Sequence, residues 1–334
     1  MTAAIPHAPL QARNTFGIEA TARELIEYDS VDSLRTLAPL DTPFFHIGGG
    51  SNLLFTGDCD ITLLHSRIHG IAVTADDGDN VTVSVGAAVV WDDFVAWAVA
   101  SDLSGVENLS LIPGETGSAA VQNIGAYGAE AKDVIVSVDT VDMLTGDTRR
   151  FSRDECGYGY RLSVFKRPDM KRFVITHVNI RLSRRFTPDL SYGGLRDTVN
   201  ALTTSPSLCD VRRAVIRLRQ SKLPDPARLG NAGSFFTNPV VDAATAATLK
   251  SLHPSMPQYP AADGNVKLSA GWLIERAGWK GRSLGRAGVY DRQALVIVNL
   301  GGATGAEVLA VARAVIADVS AMFGVSLVPE VNII

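Results

Sequence analysis

Along residues 80–87, NVTVSVGA, apolar and polar side chains alternate, with Val81, Val83 and Val85 on one face and Thr82 and Ser84 on the other. That period of two predicts a half-buried strand. The short apolar runs FFHIG (44–48), DITLL (60–64) and IAVTA (71–75) precede it and read as further strands. The period then changes. In WDDFVAWAVASDLSG (91–105), Phe94, Val95, Ala98 and Val99 recur at helical spacing ahead of a glycine, which predicts a helix and its end. Strands return around VIVSVDTVDML (134–144) and RFVITHVNIRL (172–182), and CDVRRAVIRLRQSK (209–222) reads as a basic helix. Near the C-terminus ALVIVNL (294–300) predicts a buried strand. It leads through GGATG into a long helix whose Val308, Val311, Ala312, Val315, Ile316, Val319, Met322 and Phe323 form one apolar stripe. Residues 1–13 show no period and read as a loose leader. Strands and helices alternate early and again late around a strand-rich middle, the pattern of an α+β protein with more than one layered core.

A chain of 334 residues suits two or three domains. With 46% apolar and 20% charged residues it has the balance of a soluble globular protein. The formal net charge of −4 argues against a nucleic-acid partner, which favours a basic surplus. No apolar run approaches the roughly 18 residues of a membrane span, and MTAAIPHAPLQARNTF has neither the basic start nor the apolar stretch of a signal peptide. Cys59, Cys156 and Cys209 lie far apart with no C-x-x-C, which fits free, mostly buried thiols in a reducing compartment. His65 and His69 have a helical ligand spacing, but LLHSRIHGIAV reads as strand and turn, and no carboxylate falls at a matching position. The expectation is a cytoplasmic, metal-free protein.

Three glycine clusters are candidates for holding a phosphate. In IGGGSNLLF (47–55) consecutive glycines follow a strand and can aim backbone N–H groups at an anion, or can simply make a tight surface turn. IPGETGSAAVQNIGAYG (112–128) is built of glycine, serine and alanine interrupted by two amides, Gln122 and Asn123. A linker would leave Ile112, Val121, Ile124 and Tyr127 exposed, so this composition points to close approach by a ligand or another stretch of backbone. NLGGATG (299–305) lacks the G-x-G-x-x-G spacing of a dinucleotide site, and Thr304 with Glu307 forms a T-x-x-E capping box there, so it reads as a helix start.

IGGGSN together with IPGETGSAAVQNIGAYG resembles the FAD-binding domain of the para-cresol methylhydroxylase (PCMH) type. The wider order of motifs resembles the UDP-N-acetylenolpyruvoylglucosamine reductases. NTFGI (14–18), IGGGSN (47–52), IPG…QNIGAYG (112–128), YRLSVFK (160–166), KLPDP (222–226), GNAGSFFTNP (230–239), AGWLIERAGWKG (270–281), QALVIVN (293–299) and VPEV (328–331) occur in that family's order across nearly the whole chain. The resemblance implies a leader at 1–13 and a PCMH-type FAD-binding domain of two α/β subdomains over 14–184. A C-terminal α+β substrate-binding domain would follow over 185–334, with a tyrosine-bearing loop near 187–195. FAD would meet Gly48, Gly49, Gly50, Ser51 and Asn52 with its diphosphate. Its remaining length would lie along Pro113, Gly114, Gly117, Ser118, Gln122, Asn123, Ile124, Gly125, Ala126, Tyr127 and Gly128. Ser51 stands where relatives with covalent flavin often carry histidine, which implies a non-covalent cofactor.

The implied reaction is reduction of the flavin by NADPH and then of UDP-N-acetylglucosamine enolpyruvate, a small nucleotide sugar, giving UDP-N-acetylmuramate for peptidoglycan. Charge that builds beside the substrate carboxylate must be stabilised, and a proton must reach the same carbon. By the family's motifs Arg161 would grip the carboxylate with paired donors. Ser234 would deliver the proton. Glu330 would sit near the same carboxylate, where a neighbouring negative charge favours its protonated, donating form. Tyr160, Tyr192, Lys222, Asn238, Lys280 and Gln293 are the implied substrate contacts, with Tyr192 folding over the nucleotide; Arg212, Arg213, Arg217 and Arg219 read mostly as a solvated face. Two positions depart from the family: Thr237 stands where lysine is frequent, and Asn332 where arginine is common. Both thin the positive charge near the implied site. The expected state is a monomer with no nucleic-acid or membrane partner. A PCMH-type oxidase or dehydrogenase of a sugar or alcohol is the alternative activity; it needs no combination of Arg161, Ser234 and Glu330. A nucleotide-binding protein without catalysis would show damage at those three positions, and all are intact.

Overall fold

The computed structural model describes residues 2–40 and 42–334. The chain forms two compact units. The first comprises Met1–Ala8, Ala22–Gly49 and Asp60–Ser221, and the second Pro9–Thr21, Gly50–Cys59 and Lys222–Ile334. The division at 221/222 differs from the boundary expected at 184/185. The reason is local: Leu195, Val199, Val211, Ala214 and Val215 are buried together with Tyr127, Phe186 and Leu190 packed on them. This small core ties the 187–195 loop and the basic helix Leu208–Lys222 to the first unit rather than to the C-terminal one.

Two larger sheets build the first unit, beside a short pair formed by Gly125–Ala126 and Ala129–Glu130. Thr2–Pro9, Thr21–Tyr28, Cys59–Ser66 and Phe44–Ile47 lie side by side in that order, with Phe44–Ile47 parallel to Cys59–Ser66. The expected leader is therefore largely a strand. Only Ala8 of Thr2–Pro9 is buried, so this strand is held by its backbone ladder and shows no hydrophobic period. The second sheet is antiparallel, in the order Thr148–Ser152, Ile135–Asp142, Phe173–Ser183, Asn80–Gly86, Ile71–Asp76. Val83 lies opposite Ile180 and Val85 opposite Val178. Those valines share a core with Trp91, Phe94, Val95, Ala98 and Val99 of the helix Trp91–Ala100. Both amphipathic patterns seen in the sequence thus face one interior. Ile71–Asp76 is the edge of this sheet and is exposed apart from Ile71.

In the second unit, Asn231–Ser234, Val296–Asn299, Ala287–Val289 and Ser283–Leu284 form a four-stranded antiparallel sheet. The helix Gly305–Phe323 buries Val308, Val311, Ala312, Val315, Val319 and Phe323. Met322, expected in that stripe, is 56% exposed, because the final turn carries it past the buried face. Thr304 accepts from the Glu307 N–H and the Glu307 side chain accepts from the Thr304 N–H, so the capping box is present. The cysteines are free. Only Cys156 is buried; Cys59 is half-buried and Cys209 lies exposed on the basic helix, in contrast to the mostly buried thiols expected.

Candidate active site

In the first unit the two glycine-rich segments meet. A side chain begun on Gly49 would lie 3.8 Å from Gly114 Cα and 3.8 Å from Glu115 Oε1. On Gly48 it would come 2.8 Å from Ser118 Oγ and 3.1 Å from Glu115 Oε2, and on Gly117 it would come 3.0 Å from Ala87 Cβ. At Gly48 and Gly117 small residues are thus favoured by contacts within the protein, whereas at Gly49 the added atom would meet only ordinary contacts. Residues Thr116–Gln122, within the segment that reads as featureless from composition, form a short helix. It is capped by reciprocal bonds between Glu115 and Ser118, and it ends at Asn123 in the left-handed conformation with φ of 46°.

Asn123 differs from its expected role as a polar anchor for a cofactor. It is 0% exposed, its amide donates to Glu130 Oε2 and Gly159 O, and its Oδ1 accepts from the Lys132 N–H. Its side chain is spent on the loop that follows. Gln122 is also buried. Gly49 and Pro113 remain exposed, and Gly48, Gly114, Gly125, Ala126 and Tyr127 are partly so. This small-residue surface, where an added Cβ would fill the space between chain segments, fits a flat ligand laid on main chain.

Arg161 belongs to the same unit. It sits in a tight turn between the paired residues Gly159 and Leu162, with φ of 52°. Its Nη2 donates to Gly125 O at 2.9 Å, its Nη1 donates to Asn123 O at 3.3 Å, and its carbonyl accepts from Lys166 Nζ. The guanidinium lies 5.5 Å from the centre of the Tyr160 ring. Burial depresses the Arg219 guanidinium below its usual range, against the opposing pull of Tyr127 and Asp92. Tyr192 is 52% exposed and meets Tyr127 edge-on, ring centres 5.4 Å apart. Sequence reasoning missed Asn108, whose amide donates to both Tyr127 O and Asp189 O at 3.0 Å and so joins the glycine-rich segment to the tyrosine loop. A lone asparagine in SGVENLS carries no signal for that.

The second unit brings Ser234, Glu330 and Asn52 onto neighbouring main chain. Ser234 ends a strand opposite Val296, the Glu330 N–H donates to Phe235 O, and Asn52 Nδ2 donates to Glu330 O. Asn332 donates back to Asn52 O through its side chain, and Thr237 donates to Val328 O through both N–H and hydroxyl. The two departures from the family pattern therefore pin the segment carrying Glu330. Upstream, Thr15 donates its hydroxyl to Asn231 O at 2.6 Å, which fixes the approach to Ser234. Gly50 is needed for the chain's own geometry: its φ is 68°, and a Cβ there would stand 2.0 Å from Arg13 O. Asn238 accepts from the Ala270 N–H, Gln293 Oε1 accepts from the Leu295 N–H, and Lys280 pairs with Glu275 at 3.1 Å. Lys222 is exposed at the end of its helix, and Ser51 is half-buried.

Residues 27–152 match the FAD binding domain family, and residues 225–334 match the C-terminal domain of UDP-N-acetylenolpyruvoylglucosamine reductase. A Bacteroides fragilis protein named UDP-N-acetylenolpyruvoylglucosamine reductase is 51% identical over 328 residues, covering 97% of this chain and 98% of that protein. The chain belongs to the UDP-N-acetylenolpyruvoylglucosamine reductase family. A reductase of the same name from Porphyromonas gingivalis is 47% identical over 332 residues, 98% of each chain. The crystal structure of the Thermus caldophilus reductase, 24% identical, matches 100% of this chain and 98% of its own with a TM-score of 0.69, which places both chains in one fold. The reductase family fits the α+β architecture and the flavin oxidoreductase class read from the motifs.

Proposed function

We propose that the chain reduces UDP-N-acetylglucosamine enolpyruvate to UDP-N-acetylmuramate with FAD as cofactor and NADPH as reductant, in the supply of peptidoglycan precursor. When bound, FAD supplies the hydride, having received it from NADPH. The single observation that carries the reading is the near-full-length identity to reductases of this name, and the meeting of the two glycine-rich segments in the first unit agrees with it.

On this reading Gly48 and Gly49 with Pro113 and Gly114 offer main chain to the cofactor. Arg161 neutralises the substrate carboxylate while charge develops beside it; its fork is preset by Gly125 O and Asn123 O, so little reorganisation is needed. Ser234 delivers the proton from the end of a strand that Thr15 holds at Asn231, and Glu330 holds the carboxylate from the segment bonded beside it at Phe235. Tyr192, exposed and resting on Tyr127, is the side chain suited to close on a nucleotide, with Lys222 and Lys280 nearest by motif to its diphosphate. The protein works as a cytoplasmic monomer without nucleic-acid or membrane partners. Among the described residues no helix is long and apolar enough to cross a membrane.

The test is an anaerobic pair of half-reactions. NADPH bleaches the flavin band, and UDP-N-acetylglucosamine enolpyruvate then restores it without oxygen. Ser234→Ala slows the return by at least about a hundredfold, the lower range for losing general acid catalysis, and leaves the bleaching nearly unchanged. Colour that returns only on admitting air points instead to an oxidase.

A further inference from the structure

Beneath the glycine turn 48–49 lies a chain of three ionisable side chains that none of the expected roles uses. His65 is buried, on the strand Cys59–Ser66. Its Nδ1 is 3.0 Å from Glu27 Oε1 and its Nε2 is 3.3 Å from Glu115 Oε1. An ionised carboxylate only accepts, so filling both contacts requires the imidazole to donate from both nitrogens and carry a positive charge. The two carboxylates stand on opposite sides of the ring, so the group is a linear relay of charge rather than a metal cage. The strand register puts His65 directly opposite Ile47, the residue before Gly48. Glu115 in turn holds the other side of the turn, its Oε2 3.1 Å from where a Gly48 side chain would begin.

We propose that His65 is a positioning residue for FAD: as the cation between Glu27 and Glu115 it holds the 48–49 turn and offsets the Glu115 charge that would otherwise repel the cofactor diphosphate. This rests on the placement of the diphosphate at Gly48–Asn52. Further ionisable groups beside the ring include His46 on the neighbouring strand and Tyr28, whose hydroxyl bonds His46 Nε2 at 2.8 Å. Burial and the nearby His65 charge push His46 down to about 3, and burial pushes Tyr28 up, so both stay neutral near pH 7. Burial disfavours the His65 cation, but the bonds to Glu115 and Glu27 outweigh it and raise its titration above the usual histidine range. The cation is therefore fully present below about pH 6.5 and is lost as pH rises through that higher value. FAD affinity follows it, and by linkage FAD binding takes up protons over the same range.

The experiment measures FAD dissociation constants of deflavinated protein by fluorescence between pH 6 and 9, with calorimetry in buffers of differing ionisation enthalpy. Wild type weakens as pH rises and takes up protons on binding. His65→Gln weakens FAD binding roughly tenfold or more at pH 6.5, the scale of removing one partner of a buried pair, and abolishes the proton uptake. Glu115→Gln added to His65→Gln restores affinity to within about threefold, because the uncompensated charge has gone. If His65→Gln leaves affinity and proton uptake unchanged, or if Glu115→Gln fails to rescue it, the inference is wrong while the flavin reading stands. Should His65→Gln not fold, the single variant Glu115→Gln decides: it must flatten the pH dependence without weakening FAD. A wild-type protein that takes up no FAD overturns both readings.

Discussion

Gly50 is a glycine that the chain's own geometry requires. Its φ of 68° is left-handed, which disfavours an alanine by about 1–2 kcal/mol. A Cβ there would stand 2.0 Å from Arg13 O and 2.7 Å from Asn14 Cα, both main-chain atoms that cannot swing aside. Relief requires moving the 10–18 segment, which is stiffened by Asn14 bonds to Leu10 O, Ile18 O and the Ile18 N–H. It also disturbs the Thr15 N–H bond to Gly50 O. Overpacking of this kind adds about 1–3 kcal/mol, so Gly50→Ala is expected to lose about 2–5 kcal/mol in all. At about 2–4 °C per kcal/mol for a domain of this size, the melting temperature falls roughly 4–20 °C. The matched control is Gly49→Ala, whose new methyl would make ordinary contacts at 3.8 Å and should stay within about 0.5 kcal/mol in the apoprotein. Thermal unfolding followed by circular dichroism, with and without FAD, is the assay. Gly50→Ala melting within about 2 °C of wild type without FAD would refute the steric argument. A loss seen only with FAD bound would make Gly50 a cofactor contact instead.

Asp92 accepts from Arg212 at 2.6 and 2.9 Å and from the Leu111 N–H, and these donors outweigh burial to hold its carboxyl below the usual range. Its stabilisation is complete above about pH 4 and fades as pH falls through the lower folded value, so acid unfolding should begin at higher pH in Asp92→Asn, which also loses about 1–3 kcal/mol at pH 7. An unchanged acid midpoint would count against the pair. Asn108→Ala leaves Tyr127 O and Asp189 O without their donor, and hydrogen exchange in residues 187–195 should speed up severalfold while the Asn80–Gly86 strand is unaffected. Equal exchange in both proteins would show that the loop is held by other contacts. Thr304→Ala removes one half of a capping box and should lower stability by about 0.5–2 kcal/mol in urea unfolding; a loss below that range would mean the Gly305–Phe323 helix is held by packing alone.

Period and order of motifs determined much of this protein from the sequence alone. Val81, Val83 and Val85, the Trp91–Ala100 helix and the Thr304–Glu307 box are readable because each depends on neighbours within a few residues. The family was readable because ordered motifs survive at fixed places along nearly the whole chain. The tertiary structure decided what distant residues do to one another. Thr2–Pro9 looks like a leader, since an exposed edge strand is held by hydrogen bonds that leave no hydrophobic pattern. The 187–221 stretch joins the first unit because Leu195 and Val199 pack on Val211 and Val215, a choice between cores that composition cannot express. Asn123 reads as a ligand's anchor until its partners Glu130, Lys132 and Gly159 are seen around it. His65 reads only as half of a His65–His69 pair with no carboxylate at a matching position, because the carboxylates that charge it, Glu27 and Glu115, are 38 and 50 residues away along the chain and meet it only when the strand and the glycine turn fold together.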